Sequence, residues 1–304
     1  SNNIMNNKCD LLIAIGMRFD DRVTGTLSTF AKQAKVIHME IDKAEVDKNV
    51  KTDVAIIGNV KETLPLLTAK IEKRDHKDWI QQFKDLHALE YEKVIKKDFF
   101  PEKEGMTMPE VIHKINERTN GNAIFITDVG QHQMFASRYC RFDKTRSFVT
   151  SGGLGTMGFG LPAAHGAKIG APDRDVILFV GDGGIQMTIQ ELGTINQTQA
   201  AVKIVLLNNK YLGMVRQWQQ LFFDKRYSET YLMNPDFITV AKGFGIEGKK
   251  VLERPELDAA IDEMLNYKGA YLLEVSIEKE DNVFPMVPTG SSVYDVILES
   301  EKNN

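Results

Sequence analysis

Apolar residues in this chain fall in short continuous runs that alternate with longer amphipathic stretches. The runs cover residues 11–15, 36–42, 54–57, 123–127, 147–150, 176–180, 202–207 and 270–277. Runs of this length are typical of parallel strands buried on both faces. Apolar residues at helical spacing lie between several of them, as at residues 26–34, 60–71 and 108–118. This alternation predicts an α/β protein with two doubly wound parallel-sheet domains.

A charged stretch separates two such series. Residues 74–104 are rich in Lys, Asp and Glu, carry Trp79 and Phe83 at helical spacing, and are interrupted at Pro101. That composition predicts a connecting helix and linker between domains. The domain limits we expect are 1–73 for a partial first domain, 74–105 for the connection, 106–288 for the second domain and 289–304 for a tail.

Net charge, the length of the apolar runs and the cysteine content indicate which partners and which cellular compartment to expect. The chain is 42% hydrophobic and 26% charged with a net charge of −4, which gives no electrostatic reason to expect nucleic acid or an anionic membrane. No apolar run approaches the roughly 20 residues that span a bilayer. The first residues also lack the pattern of a signal peptide. Cys9 and Cys140 lie far apart and form no disulfide framework or zinc motif. We therefore expect a reducing, cytoplasmic location.

The strongest indication of a ligand-binding site is the motif Gly181-Asp182-Gly183-Gly184, which directly follows the run at 176–180. Asn208-Asn209 directly follow the run at 202–207. Open parallel sheets bind ligands where strands end. A helix between the runs, with Ile185, Ile189, Leu192 and Ile195 on one face, would pack on the sheet and align the two ends.

Asp182 and Asn209 offer hard oxygen ligands of the kind that Mg²⁺ or Ca²⁺ takes. The glycines beside Asp182 would let a diphosphate approach the backbone, and the next helix would present unpaired N–H groups to it. Each motif alone is more often a tight turn or a loop. Together, 27 positions apart and joined by strand, helix and strand, they indicate a metal–diphosphate site.

A competing motif is Gly153-Leu154-Gly155-Thr156-Met157-Gly158, which matches the G-x-G-x-x-G fingerprint of dinucleotide-binding dehydrogenases. The strand before it is short. The next acidic residue at a strand end, Asp182, is flanked by glycines and is not placed to hold a ribose. We therefore favour the metal–diphosphate interpretation.

Several segments together resemble a known family. Gly181-Asp182-Gly183 followed by Asn208-Asn209 resembles the motif shared by thiamin diphosphate enzymes. Residues 151–162, residues 214–220 and residues 16–25 look like the catalytic large subunits of acetohydroxyacid (acetolactate) synthases in particular. The resemblance runs from about residue 10 to residue 297.

Carried over position by position, the resemblance implies a set of site residues. Asp182, Asn209 and the backbone carbonyl of Tyr211 would bind Mg²⁺. Gly155 and Met157 would contact the aminopyrimidine, and Met214 would bend the cofactor. Trp218 would lie near the pocket of the second keto acid, which gives Met214 and Trp218 catalytic roles. The remaining cofactor-binding positions would be Val129, Gly130, Gln131, His132, Gly183, Gly184 and Gly213.

The residues alone also allow ordinary structural roles. Met214, Trp218, Leu221 and Phe222 have the spacing of a core stripe on an amphipathic helix. His132 alone would be a hydrogen-bonded structural histidine, and residues 18–22 a solvated loop. In the family, that loop borders an FAD with no redox role. The positions concerned are Arg18, Asp20, Asp21, Glu40, Ile41, Asp42 and Gly58.

The activity that the resemblance implies is decarboxylation of pyruvate and transfer of the hydroxyethyl unit to a second 2-keto acid. The product would be 2-acetolactate, or 2-aceto-2-hydroxybutyrate from 2-ketobutyrate, in branched-chain amino acid biosynthesis. The family is a homodimer with the active site at its interface and normally has a regulatory small subunit. Its glutamate that protonates the pyrimidine lies in an N-terminal domain with no counterpart here. We therefore expect this chain to be an inactive C-terminal part of a longer enzyme.

Two alternatives stay open at this point. One is another thiamin diphosphate enzyme, such as a catabolic acetolactate synthase or a pyruvate oxidase or decarboxylase. Residues 18–25 and 214–220 argue against it. The other is a non-catalytic module that binds Mg²⁺ and diphosphate.

Overall fold

Parallel strands and the helices that follow them make up most of the chain in a computed structural model, which describes residues 2–279, 281–288 and 290–299. Residues 289 and 300–304 of the predicted tail lie outside the described residues. Two units divide the chain: Ser1–Ile95 together with Phe284–Asn304, and Lys96–Val283. The predicted connection at 74–105 is thus shared between the units, and the tail belongs to the first.

The first unit is built on three parallel strands in the order β1-β2-β3. The strands are β1 (Leu11–Ile15), β2 (Lys35–Glu40) and β3 (Val54–Ile57), and the helices are α1 (Asn2–Lys8), α2 (Asp21–Thr24), α3 (Val60–Thr68) and α4 (Lys77–Glu90). One face of the sheet carries a small core in which Ala14 and Val36 pack with Phe19 and Phe30. A π-helical turn, Tyr91–Ile95, follows α4.

The second unit contains six parallel strands in the order β5-β4-β6-β7-β9-β8. The strands are β4 (Ile124–Thr127), β5 (Phe148–Thr150), β6 (Val176–Gly181), β7 (Val202–Asn208), β8 (Glu247–Val251) and β9 (Tyr271–Ser276). The helices are α5 (Lys96–Phe99), α6 (Met108–Thr119), α7 (Gln131–Tyr139), α8 (Gly160–Gly170), α9 (Asp182–Met187), α10 (Glu191–Gln197), α11 (Gly213–Phe222), α12 (Phe237–Gly243) and α13 (Arg254–Asn266). Both sheets confirm the predicted α/β class with parallel strands.

The strand order of the second unit locates its ligand-binding edge. From β4 the chain moves outward to β5, and it then returns to the other side of β4 to form β6. A parallel sheet binds ligands at such a reversal, beyond the carboxyl ends of the strands. The register pairs Thr127 with Phe179 and Gly181 with Leu207. The residues after β4, β6 and β7 therefore emerge side by side.

The core of the second unit explains why these strand ends hold their positions. Apart from Gly181, every residue of β6 and β7 is buried. Leu178 and Val180 pack on one face with residues of α8, α10 and α12. Phe179 stacks against Phe125 of β4, with the ring centroids 5.9 Å apart. Apolar side chains therefore pack closely on both faces of the sheet, and this packing keeps the ends of the strands in fixed positions.

Two predicted helices differ from those observed. Residues 26–34 form turns, because the Thr26 hydroxyl donates to the Gly290 carbonyl and Ala31 adopts a left-handed conformation. The helix predicted after Asp182 is broken into α9 and α10, since Thr188 leaves the helical region and its hydroxyl donates to the Gly158 carbonyl. Ile185, Leu192 and Ile195 are buried as predicted. Within the described residues, no helix is both long and apolar enough to cross a membrane.

Candidate functional site

One cleft opens at the reversal point of the six-stranded sheet, and residues that follow β4, β6 and β7 line it. It encloses about 520 Å³, including its open mouth.

Most residues predicted for the second unit's site meet in this cleft. They are Val129, Gly130, Gln131, His132, Met157, Asp182, Gly183, Gly184, Asn209, Tyr211, Gly213 and Met214. In the part of the chain that the structure describes, Gly155 and Trp218 are not in its lining. Gly155 lies in an exposed turn with φ +62°. Trp218 is one turn beyond Met214 on α11 and packs on Phe222, with the ring centroids 4.9 Å apart.

Asp182 supplies the negative charge of the cleft. Its side chain is only 1% exposed, and its Oδ2 accepts a hydrogen bond of 2.6 Å from Asn234 Nδ2. Burial raises the pKa of Asp182 to about 6, although hydrogen bonds from Asn234 and nearby backbone N–H groups oppose the rise. Because burial makes this carboxyl group costly to ionise, a cation placed beside it would stabilise its charged form.

Asn209 and Tyr211 form the neighbouring wall, which β7 leads into. Asn209 Oδ1 accepts from the Tyr211 N–H at 3.0 Å, and the second lone pair of that oxygen can take a cation. Tyr211 pairs with Tyr231 in an isolated antiparallel bridge. Within the described residues no three His, Cys, Asp or Glu side chains are grouped to hold a metal. A cation here would therefore need amide, carbonyl or phosphate oxygens as well as Asp182.

His132 leaves a polar atom for a ligand. Its ring is buried against Gly130 and Gly181, and its Nε2 has no hydrogen-bond partner among the described residues. Burial lowers the pKa of His132 to about 4, against the opposing effect of the Asp128 carboxylate. A phosphate oxygen near Nε2 would favour the protonated ring and would accept its hydrogen bond.

Two helices begin at the cleft without a capping side chain. Gly130 precedes α7, Leu212 precedes α11, and neither helix has a side-chain hydrogen bond at its start within the described residues. The N–H groups of a first helical turn lack partners inside the helix and carry partial positive charge. Both helix starts therefore favour an anion in the cleft.

The glycines of the cleft are required by close packing. A Cβ on Gly213 would lie 2.2 Å from Gln131 Oε1, and a Cβ on Gly184 would lie 2.5 Å from Asp128 Oδ1. The Gln131 amide nitrogen donates to Gln217 Oε1 at 2.8 Å and to the Asp281 carbonyl at 3.0 Å. Its side chain thus ties α7 to α11 beside the cleft, which Gly130 and Gln131 both line.

The sequence pattern did not single out two residues that organise the cleft. Asp128, directly after β4, is 1% exposed and accepts from the N–H groups of Val129, Gly158 and Gly160 at 2.8, 3.1 and 2.8 Å. An acidic residue at the end of a buried strand was the available signal. Asn234 sits in a loop, and nothing in the spacing of the sequence indicates its contact with Asp182.

The residues predicted to border FAD lie at strand ends of the first unit. Arg18 pairs with Asp20 at 2.8 Å, and Asp20 caps α2, which starts at Asp21. Glu40 Oε1 accepts from the N–H groups of Ile41 and Asp42 at 2.8 and 3.2 Å. The Gly58 N–H donates to the Glu40 carbonyl at 3.0 Å. These residues end or follow β1, β2 and β3 at the carboxyl edge of that sheet.

Comparison with known proteins agrees with this arrangement. Residues 128–275 match the family model "Thiamine pyrophosphate enzyme, C-terminal TPP binding domain", and residues 1–67 match "Thiamine pyrophosphate enzyme, central domain". The acetolactate synthase isozyme 2 large subunit of Escherichia coli (strain K12) is 46% identical over 95% of this chain and 52% of its own length.

Two further relatives carry similar names. Acetolactate synthase 2, chloroplastic, of Nicotiana tabacum is 42% identical over 96% of this chain and 45% of its own length. The acetolactate synthase large subunit of Lactococcus lactis subsp. lactis (strain IL1403) is 42% identical over 93% of this chain and 48% of its own length. The chain spans about half the length of the curated relatives it matches. It belongs to the thiamine pyrophosphate enzymes and is a homologue of the acetolactate synthase large subunits.

Proposed function

We propose that this chain carries the Mg²⁺–diphosphate half of the thiamin diphosphate site of an acetolactate synthase. The observation that carries the proposal is the meeting of Asp182 and Asn209 in one cleft at the reversal point of the sheet. The names of the relatives support the activity, since those described above are acetolactate synthases or their large subunits.

The lining residues divide into those suited to the cation and those suited to the anion. Asp182, the Asn209 amide oxygen and the Tyr211 carbonyl would hold Mg²⁺, which completes its shell with phosphate oxygens and water. The first turns of α7 and α11 and the Nε2 atom of His132 would hold the diphosphate. Gly183 and Gly184 would let it approach the backbone.

Bound thiamin diphosphate supplies a nucleophilic thiazolium carbon and an electron sink for the decarboxylation of a 2-keto acid. This chain would position that cofactor and exclude water from it. Met214 and Met157 present apolar side chains to the cleft, where the cofactor rings would pack. Gly155 would contact the aminopyrimidine from the exposed turn. Trp218, further along α11, would face the second keto acid, either pyruvate or 2-ketobutyrate.

Calorimetry on the chain tests this site through binding, because the relatives are about twice as long and turnover belongs to the whole enzyme. We expect thiamin diphosphate to bind with Mg²⁺ present and to lose most of its affinity when EDTA removes the cation. Thiamin, which lacks the diphosphate, serves as the matched control ligand and should not bind measurably. Equal binding of thiamin and thiamin diphosphate, or indifference to EDTA, would reject the proposal.

We also propose for the full-length enzyme an FAD without a redox role, a homodimer, a regulatory small subunit and a cytoplasmic location. The carboxyl edge of the first sheet, with Arg18, Glu40 and Gly58, supports the FAD. The name "large subunit" of two relatives supports a small-subunit partner. Purified full-length protein that is colourless and monomeric would contradict the FAD and the dimer.

A further inference from the structure

A line of polar side chains runs from the exposed Lys250 at the β8 edge of the six-stranded sheet, through the buried Glu274 and Asn208 and the half-buried Asn234, to Asp182. Lys250 of edge strand β8 pairs with Glu274 of β9 at 2.8 Å, and Asn208 of β7 donates to Glu274 Oε1 at 2.8 Å. Asn234, in the loop before α12, donates to Asn208 Oδ1 at 3.0 Å and to Asp182 Oδ2 at 2.6 Å. Each link is within ordinary hydrogen-bonding or ion-pair distance.

Glu274 determines which way these hydrogen bonds run. It is 1% exposed and forms an ion pair with Lys250, and a carboxylate in an ion pair accepts hydrogen bonds but cannot donate them. Asn208 must therefore turn its amide nitrogen towards Glu274 and its oxygen towards the cleft side. That oxygen accepts from the Lys210 N–H at 3.1 Å as well as from Asn234.

The orientation of Asn234 follows from its neighbours. Its oxygen accepts from Gln186 Nε2 at 3.1 Å, and its nitrogen faces the two acceptors, Asn208 Oδ1 and Asp182 Oδ2. A reversed amide would place its oxygen against both acceptors and its nitrogen against a donor. The line therefore ends with a donor directed at the carboxylate of Asp182.

We propose that Glu274, acting through Asn208 and Asn234, is a positioning residue that orients the Asp182 carboxylate for its cation. This inference rests on the proposed function, in which Asp182 binds Mg²⁺. Hydrogen bonds from outside the ligand shell orient ligands, and removing one typically costs about 10- to 100-fold in metal affinity. Glu274 would act through three successive hydrogen bonds, without touching the cation or the cofactor.

The test measures the Mg²⁺ concentration for half-maximal binding of thiamin diphosphate by the full chain. Asn234→Leu keeps the approximate size of the side chain but removes both donations, so we expect that concentration to rise about 10- to 100-fold. Asn234→Ser, which keeps a smaller donor, should give an intermediate value and provides a second variant if Asn234→Leu does not fold. The Gln side chain of Glu274→Gln can donate as well as accept. We expect this variant to raise the half-maximal Mg²⁺ concentration less than Asn234→Leu does.

Glu110→Gln is the matched control for Glu274→Gln. Glu110 is 3% exposed and paired with Arg254 at 2.9 Å, but its hydrogen bonds do not lead to Asp182. A purely structural role predicts that both Gln variants lower the melting temperature and leave the Mg²⁺ requirement unchanged. An unchanged Mg²⁺ requirement in Glu274→Gln would overturn the inference alone, whatever the Asn234 variants show. A wild-type chain that binds no Mg²⁺–thiamin diphosphate would overturn the proposed function as well.

Discussion

Replacing Asp182 by asparagine should lower the Mg²⁺-dependent affinity for thiamin diphosphate by at least about 100-fold, more than the loss of an outer hydrogen bond costs. The substitution keeps the shape of the side chain but removes its charge, and Asp182 is the carboxylate that lines the cleft beside Asn209. Calorimetry with Mg²⁺ measures the effect. Asp258→Asn, an exposed position paired with Lys114 and Arg118, is the control and should bind like the wild type.

The same variant should be more stable than the wild type when no ligand is present. Burial raises the pKa of Asp182 to about 6 from the 3.8 of a free carboxyl, so the folded state favours the neutral form. The stability that this preference contributes is fully present below pH 3.8 and is lost as the pH rises through 6. The advantage of Asp182→Asn should therefore grow between pH 4 and pH 7, to about 1–3 kcal/mol in the free energy of unfolding.

Lower affinity together with higher stability would distinguish a binding role of Asp182 from a role in supporting the fold. Denaturation without ligand gives the free energy of unfolding, and calorimetry gives the affinity of the same preparation. A variant that loses both stability and affinity would mean that Asp182 mainly supports the fold. Unchanged affinity would remove Asp182 from the cation site altogether.

The second large effect is expected for Gly184→Ala. The new Cβ would lie 2.5 Å from Asp128 Oδ1, and that carboxylate holds three backbone N–H groups around the cleft. Asp128 cannot move away without leaving those groups unpaired in a buried site. We expect a loss of about 2–4 kcal/mol in the free energy of unfolding and weaker binding of the cofactor.

Gly166→Ala provides the control for this substitution. Gly166 lies on the exposed side of α8, and a Cβ there would meet nothing within 4 Å. Alanine is favoured over glycine inside a helix, so this variant should gain about 0.5–1 kcal/mol. Equal stability of the two alanine variants in chemical denaturation would show that the packing around Asp128 is not as tight as the distances indicate.

The strands were predictable because their signal is local and strong. Strands of a parallel sheet often consist of continuous apolar residues, and the runs at 11–15, 54–57 and 176–180 coincide with β1, β3 and most of β6. The predicted burial on both faces is confirmed for β6 but is wrong for β1 and β3, which are largely exposed. The meeting of Asp182 and Asn209 also followed from the sequence, since parallel strands end at one edge. The first prediction needs only the apolar runs, and the second needs only the shared direction of neighbouring strands.

The errors arose where distant contacts decide the local conformation. Residues 26–34 have helical spacing, but Thr26 bonds to Gly290 across 264 positions. Thr188 likewise breaks the predicted helix by bonding to Gly158. Ser and Thr hydroxyls compete with helical hydrogen bonds, and tertiary contact determines the outcome.

The supporting residues of the site were beyond prediction for the same reason. Asn234 reaches Asp182 from 52 positions away, and Glu274 reaches Asn208 from 66. Neither belongs to a motif of fixed spacing. Their contacts appear only once β9 pairs with β7 and α12 packs on β8 and β9.

The most direct measurement is a crystal structure of the chain grown with thiamin diphosphate and Mn²⁺, whose anomalous scattering locates the cation in place of Mg²⁺. We predict one peak about 2.0–2.3 Å from a carboxylate oxygen of Asp182 and from the Asn209 amide oxygen, with diphosphate oxygens in the same shell. A cation held by the cofactor alone, or bound elsewhere while Asp182 keeps only its contact with Asn234, would contradict the account.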